Sequence, residues 1–497
     1  MTHLSKNVVA NYLGKCWNFL SLYLFVPVYI KILGIENYAI INFHAVLMSI
    51  MLIADAGLSA SLNREIAKSD DNVYRNNLLR TIELIYGVIA ILGFLLIFLL
   101  SDYISSKWLN SQKISASDLS YYIKLMGASI CLHLLVILYN SGLMGLQKQV
   151  LSNSLQILFS LFRQGFVLIP LIMYKSLESY FIWQLFVTLI FFILTRKVLL
   201  KQIMINVKPV FKLTILKTVS KFAAGMLLMA LIASLNTQLD KLLVSKLLSL
   251  EYFGFYTISA TFAQISSILI LPIMIAILPK MTIISEQNNQ VGLKKIFHKF
   301  SFIVNSLACT ITMILFIYTE EFLYLWTNNQ NLVNTIAVTT KILLVGGLFL
   351  SFQYLPYYLS IANGHTLINI VLGLLIITIS APSLFYSINK LGIVGASLPW
   401  LFSNIIGAFL LAFFVIKKFL NGQFKSWFIY DTMVPLIITL SIGILFYYTT
   451  KNHAQGIIVI FLGTIGALVN LILCAFVYSK MFLNLPLTHL VKLYGRK

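Results

Sequence analysis

The stretch Asn236-Thr-Gln-Leu-Asp-Lys-Leu-Leu-Val-Ser-Lys-Leu-Leu-Ser-Leu-Glu-Tyr-Phe-Gly-Phe-Tyr256 decides how the rest of the 497-residue chain is read. It closes one long apolar segment and opens the next. Asp240 and Lys241 lie inside the apolar part, where a charge is expensive in hydrocarbon. The stretch also echoes Leu33-Gly-Ile-Glu-Asn-Tyr-Ala-Ile-Ile-Asn42, 215 residues upstream, with Tyr38-Ala39 in register with Phe253-Gly254 and with Glu36 and Glu251 just before. A membrane, an internal duplication and a buried polar site are all implied.

Composition supports the membrane. The chain is 59% hydrophobic and 10% charged, with mean hydropathy +0.91, against about 25% charged residues in a soluble domain. Apolar runs of about 20 residues recur along its length, each long enough to cross the hydrocarbon as a helix. A helix satisfies its own backbone where lipid offers no partner. The alternating polarity of a membrane β-barrel is absent. The fold expected is therefore an all-α integral membrane protein.

Fourteen spans are expected, near 11–33, 38–62, 79–100, 121–143, 152–174, 178–195, 222–247, 253–278, 299–318, 336–360, 366–386, 393–416, 433–449 and 456–479. With both termini on the cytoplasmic side, 24 of the 36 basic residues fall on that side, 7 on the other and five inside spans. That asymmetry is the positive-inside bias, and one miscounted span would scramble it downstream. The net charge of +21 is then topology and attraction to anionic membrane lipids. Basic residues spread over many short loops do not suit nucleic acid.

The four cysteines, Cys16, Cys131, Cys309 and Cys474, sit in apolar segments without paired spacing and read as packing residues. The seven histidines are scattered and show no metal-ligand spacing, and nothing implies a cofactor. The first apolar run lacks a small-residue cleavage site, so it is expected to remain as a membrane helix.

The echo extends beyond the opening stretch. Gly142-Leu-Met-Gly-Leu-Gln147 corresponds to Ile361-Ala-Asn-Gly-His365, and the turn at Lys175 to Glu178 corresponds to that at Asn389 to Gly392. Six spans separate the copies, so both have the same orientation. Two six-helix bundles related by a pseudo-twofold along the membrane normal follow, with a cavity between them. The expected organisation is a bundle over 1–195, a basic cytoplasmic linker over 196–221, a second bundle over 222–416, and two further helices with a cytoplasmic tail over 417–497.

Two six-helix bundles with two extra helices, Asp-Lys-Leu-Leu-Val followed by Phe-Gly-Phe-Tyr, the early Leu33-Gly34, and Asp55-Ala-Gly-Leu58 followed by Arg64 resemble the Wzx-type polysaccharide (O-antigen) flippases. These belong to the superfamily that also holds the multidrug and toxin extrusion transporters and the lipid II flippases. The chain departs from the pattern at Ala39, where a glycine is common. The resemblance implies that an undecaprenyl-pyrophosphate-linked oligosaccharide, the repeat unit of a surface polysaccharide, moves from the cytoplasmic to the periplasmic leaflet of a bacterial inner membrane. It also implies a polysaccharide polymerase and a chain-length regulator as partners.

An anionic head and a hydroxyl-rich oligosaccharide call for a wet cationic cavity and an apolar exit for the lipid tail. The deep charged residues Lys15, Asp55, Arg163, Asp240 and Lys241 are the candidate substrate ligands. Arg163, halfway along the fifth span in Leu161-Phe-Arg-Gln-Gly165, is the natural anion ligand because a guanidinium forks onto phosphate oxygens. Pairing is the competing role: Arg163 with Asp240 or Asp55, or Lys15 with Asp55. Asp240 and Lys241 point about 100° apart on a helix and do not share a face. Lys124 and Lys341 lie near the outer surface and can snorkel. Pro27, Pro272, Pro279 and Pro356 permit kinks, whether for motion or for static packing.

Rival functions remain. A lipid II flippase shares the fourteen-span plan. A cation-coupled multidrug exporter of the same fold would need a titratable acid in a bundle, and the first span has none. Enzymes such as a membrane glycosyltransferase or a polymerase need a large outer loop with catalytic residues, and the outer loops here are short and poor in acids. A non-transporting scaffold does not explain the buried charges.

Overall fold

The computed structural model describes residues 17, 21, 23–55, 57–203, 210–450, 456 and 458–482. Lys15 lies outside them. Among the described residues every named element is helical. The elements are α1 (Tyr23–Leu33), α2 (Ile35–Met51), α3 (Leu58–Lys68), α4 (Asn72–Tyr103), α5 (Ala116–Gly145), α6 (Gln149–Ser160), α7 (Leu168–Tyr174), α8 (Leu177–Ile203), α9 (Leu213–Leu247) and α10 (Leu250–Ala263). Then come α11 (Ile265–Glu286), α12 (Gln290–Ile317), α13 (Thr319–Thr327), α14 (Gln330–Ala362), α15 (Leu367–Phe419), α16 (Phe424–Thr450) and α17 (Ile458–Phe482).

Among the described residues eleven helices are long and apolar enough to cross a membrane, and the protein is a multi-pass membrane protein. The fourteen expected spans exceed that number in part because 366–386 and 393–416 fall within the single stretch α15. Gly392, at φ 58° and ψ −133°, breaks that stretch into two arms. Only glycine adopts this geometry without strain.

Helix ends are set by local polar residues. The side chains of Asp71, Ser115, Asn289 and Asn329 accept from Val73 N, Asp118 N, Gly292 N and Leu332 N at the starts of α4, α5, α12 and α14. Each satisfies a backbone donor that the helix itself leaves free.

Contacts divide the chain into two compact units, Met1–Gly254 and Phe255–Lys497. In the first unit, Leu62, Ile66, Leu78, Tyr86, Leu138 and Tyr139 form a core shared by α3, α4 and α5. Gly145 lets α5 touch α3: a Cβ there would stand 2.7 Å from the Asn63 carbonyl oxygen. Close approach through small residues is how membrane helices gain packing without a hydrophobic drive between them. A half-buried polar node ties three helices together. Glu83 of α4 accepts from Arg196 Nε of α8 at 2.6 Å and from the Tyr139 hydroxyl of α5 at 2.7 Å. Part of the expected linker is anchored to α4, since Val210 N donates to Asn77 Oδ1 and Lys212 N to Thr81 Oγ1.

In the second unit, Met281, Phe297, Phe352, Leu359 and Trp427 belong to one core drawn from α11, α12, α14 and α16. The last two helices are held by buried polar contacts. Asn305 of α12 donates to the Asp431 carbonyl and to Thr432 Oγ1, and His298 Nδ1 lies 2.6 Å from Asp431 Oδ2. Asn470 of α17 donates to Thr310 of α12 and Thr439 of α16. Lys124 and Lys341, expected to snorkel, reach acids instead: Asp102 at 3.6 Å and Glu320 at 2.8 Å.

Candidate functional site

Between α6 and α7 the helix widens into a π turn, Leu161–Gly165, closed by Phe166 N on Leu161 O. One extra residue in the turn releases carbonyl oxygens from the α-helical ladder, and such turns are frequent at functional sites. In a membrane those oxygens must find other donors, and three successive ones do. Trp183 Nε1 donates to Phe162 O at 2.8 Å, Gln184 Nε2 to Arg163 O at 2.8 Å, and the Tyr29 hydroxyl to Gln164 O. The wide turn is thereby fastened to α8 and α1, with Arg163 at its middle.

The guanidinium is held on three sides. Its Nε donates to Gln184 Oε1 at 2.5 Å, and its Nη1 lies 3.0 Å from His133 Nδ1. Its Cζ sits 5.2 Å from the centre of the Phe159 ring, in cation–π range. A guanidinium only donates, so His133 Nδ1 accepts, and the ring is the neutral tautomer with its proton on Nε2. Gln184, 1% exposed, engages Arg163 through both ends of its amide, which fixes the rotamer of both side chains.

Arg163 opens onto a cavity of about 440 Å³ inside the first unit, between α2, α5, α6 and α8. His44, His133, Asn140, Gln156 and Gln184 supply most of its other polar groups. Among the described residues no acid lines it, and Arg163 is the one lysine or arginine in the lining. Two lining groups are buried without a hydrogen-bond partner among the described residues, His44 Nε2 and Ser160 Oγ. His44 is 7% exposed, and its ring meets Phe181 edge-on at 6.0 Å.

The other candidate ligands lie elsewhere. Asp55 ends a short 3-10 turn, Leu52–Asp55, and accepts from Ser59 N at 2.9 Å, from Ser59 Oγ at 2.6 Å and from the Tyr86 hydroxyl. It acts locally as a cap for α3. Asp240, buried on α9, accepts from Lys241 N, while Lys241 Nζ reaches back to Thr237 O at 3.4 Å and Gln238 Oε1 at 3.5 Å on its own helix. The pairing of Arg163 with Asp55 or Asp240, weighed from the sequence, is replaced by neutral partners. All fifteen acids lie among the described residues, and none forms an ion pair with Arg163. His44, His133 and Gln184 were missed by the sequence reading. Their signal was a polar side chain set deep within an apolar run, which spacing tests for metal ligands do not register.

In the second unit a mainly apolar cavity of about 750 Å³ lies between α12, α14 and α16. Leu348, Phe349, Leu436, Ile444 and Tyr447 are among its walls, with Lys341 beside them. Pro272 and Pro279 lie inside α11, and Pro356 inside α14.

Comparison with known proteins adds a third kind of observation. The profile of a family described as "Polysaccharide biosynthesis protein" matches residues 4–285. The chain is 23% identical over 382 residues to the "Putative O-antigen transporter" of Shigella flexneri, covering 76% of this chain and 90% of that one. Its fold is similar to that of the lipid II flippase MurJ in an inward closed conformation, with TM-score 0.72 at 14% identity over 96% of this chain and 99% of that one. It is also similar to an inward-facing multidrug resistance MATE family transporter of the MOP superfamily, with TM-score 0.66 at 13% identity over 83% and 96%.

Proposed function

This chain belongs to the polysaccharide biosynthesis protein family, and from that premise we propose that it carries an undecaprenyl-pyrophosphate-linked oligosaccharide repeat unit from the cytoplasmic to the periplasmic leaflet of a bacterial inner membrane. The observation that carries this reading is the family match, extended by the relative named as an O-antigen transporter, which aligns over most of both chains. The protein is a transporter of the polysaccharide type and does not act as an enzyme on its cargo. Translocation proceeds by alternating access of two bundles, 1–195 and 222–416, around the linker 196–221, with 417–497 appended. Fourteen crossings place both termini in the cytoplasm.

The chemistry of the first unit fits an anionic cargo. Arg163 makes its cavity cationic, and no acid lines it. That lining disfavours the alternative of a cation-coupled multidrug exporter, for which an acid in the bundle would be needed. The lipid II flippase reading rests on likeness of fold alone. We place Arg163 on the path of the diphosphate, with Lys15 and Lys241 as further positive charges, and Asp55 and Asp240 as acceptors for sugar hydroxyls. The apolar cavity of the second unit suits a segment of the polyprenyl tail. A polysaccharide polymerase and a chain-length regulator complete the proposed set of partners.

Deleting the gene in its native strain tests the reading. Surface polysaccharide should disappear while lipid-linked repeat units accumulate on the cytoplasmic side. Unchanged surface polysaccharide would exclude this cargo.

A further inference from the structure

We propose that the cavity of the first unit binds a small monovalent anion, a halide or a short carboxylate, held by Arg163 as an exchangeable counter-ion separate from the cargo. The argument begins with charge. Among the described residues Arg163 is the one permanently charged side chain in the lining, and none of the chain's acids pairs with it. A positive charge set at membrane depth with no opposite charge beside it is unfavourable. The protein partners of the guanidinium, Gln184 Oε1 and His133 Nδ1, are neutral acceptors. They orient the charge without compensating it, and no further acceptor for its Nη donors is found among the described residues.

Stoichiometry then selects the ligand. One positive charge is balanced by one negative charge. A diphosphate diester carries two, one more than the described lining matches without the further charges of Lys15 and Lys241 placed on the cargo path, so the cargo head is not the resting ligand. The site also offers further donors. His44 Nε2 and Ser160 Oγ are buried on the same cavity with no hydrogen-bond partner among the described residues. Unmade hydrogen bonds of this kind cost free energy, and a bound anion accepting from the Ser160 hydroxyl, and from His44 in the tautomer with its proton on Nε2, removes that cost. His133 completes the set, because its Nε2 carries the ring proton. A guanidinium, two imidazole N–H groups and a hydroxyl are all donors, which suits an anion and repels a cation. About 440 Å³ holds a halide or acetate together with hydration water.

The test uses purified full-length protein in neutral detergent, with no cargo present. This separates it from the cargo reading, which only an export assay examines. Ionic strength is held constant with gluconate while chloride, bromide, acetate or sulfate is titrated and thermal unfolding is followed. A ligand that binds the folded state raises the unfolding temperature in a saturable way. Chloride, bromide and acetate should do so, and sulfate, a dianion, should not. Arg163→Gln should weaken the apparent affinity by about tenfold or more, as expected for loss of a charge-assisted contact. Lys425→Gln, at the start of α16, should leave it unchanged. His44→Phe, which keeps the ring volume but removes a donor, should fold and weaken binding, and so provides the answer if Arg163→Gln does not fold. Absence of a saturable monoanion effect in the unaltered protein would overturn the proposal. So would sulfate matching chloride, or unchanged affinity in both variants.

Discussion

Gln184 and Arg163 exchange two hydrogen bonds across the π turn: Arg163 Nε donates to Gln184 Oε1 at 2.5 Å, and Gln184 Nε2 donates to Arg163 O at 2.8 Å. One amide thus satisfies a freed backbone oxygen and aims the only charge that the described residues bring to the cavity. Gln184→Leu removes both bonds and leaves a carbonyl and a guanidinium donor unmatched, at a cost of about 1–3 kcal/mol each. The purified variant should unfold at a clearly lower temperature than the parent. Gln184→Glu keeps the acceptor, adds a counter-charge beside Arg163 and loses the donor to Arg163 O. It should recover part of the stability and still lose transport, because the cavity is no longer cationic. Full surface polysaccharide with Gln184→Glu at normal protein level would separate cavity charge from transport.

A second site, within the first unit, tests the approach of Gly254 to α2. A Cβ on Gly254 would stand 2.9 Å from the Ile35 carbonyl oxygen and 3.3 Å from Ala39 Cβ. The backbone oxygen has no rotamer to change, so the helices must separate. Gly254→Val should destabilise the purified protein by about 1–3 kcal/mol, whereas Ala39→Gly should be tolerated in the same unfolding assay. Equal unfolding temperatures for Gly254→Val and the parent would show that this contact is not tight.

The Glu83 node is a third. Glu83 accepts from Arg196, Tyr139 and Arg80. In Glu83→Leu these donors lose their acceptor, and stability should fall by about 1–3 kcal/mol. Because the node lies apart from the cavity lining, the monoanion affinity measured by thermal shift should stay within error of the parent.

Orientation follows from the distribution of basic residues. Reporter fusions at Lys148, Gln287 and Lys425 should mark the cytoplasmic side, and fusions at Ser111 and Asn389 the periplasmic side. A switch of side at any point along the series would show that the crossings from there on are miscounted.

The helical membrane fold was legible because lipid leaves so few options: long apolar runs and sparse charge admit little else. The turn ending at Gly392 was legible too, although it appears as a break within α15 rather than as a loop. Ala39 and Gly254, matched only as an echo in the sequence, prove to be neighbours, which a one-dimensional comparison has no means of stating. The depth of Arg163 was equally plain, since an arginine amid leucine and phenylalanine is rare. Its partners were not. The sequence made Asp55 and Asp240 attractive because opposite charges usually pair, yet the π turn presents Arg163 to Gln184 and His133. A π turn adds one residue to a helix without any turn-forming residue type, so Leu161–Gly165 reads as ordinary helix. His44 and His133 lie 89 positions apart and meet at the cavity only through packing of α2 against α5.

The central claim is translocation of a lipid-linked oligosaccharide, and the most direct measurement is made in vesicles. The purified protein is reconstituted into liposomes carrying the undecaprenyl-diphosphate oligosaccharide of its native strain. An externally added glycosidase then reports how much of the sugar reaches the outer leaflet with time. With the unaltered protein the accessible fraction should rise from about half toward completion, and with Arg163→Ala it should stay near half despite equal incorporation. An unaltered protein that leaves the accessible fraction where protein-free vesicles leave it would contradict the account.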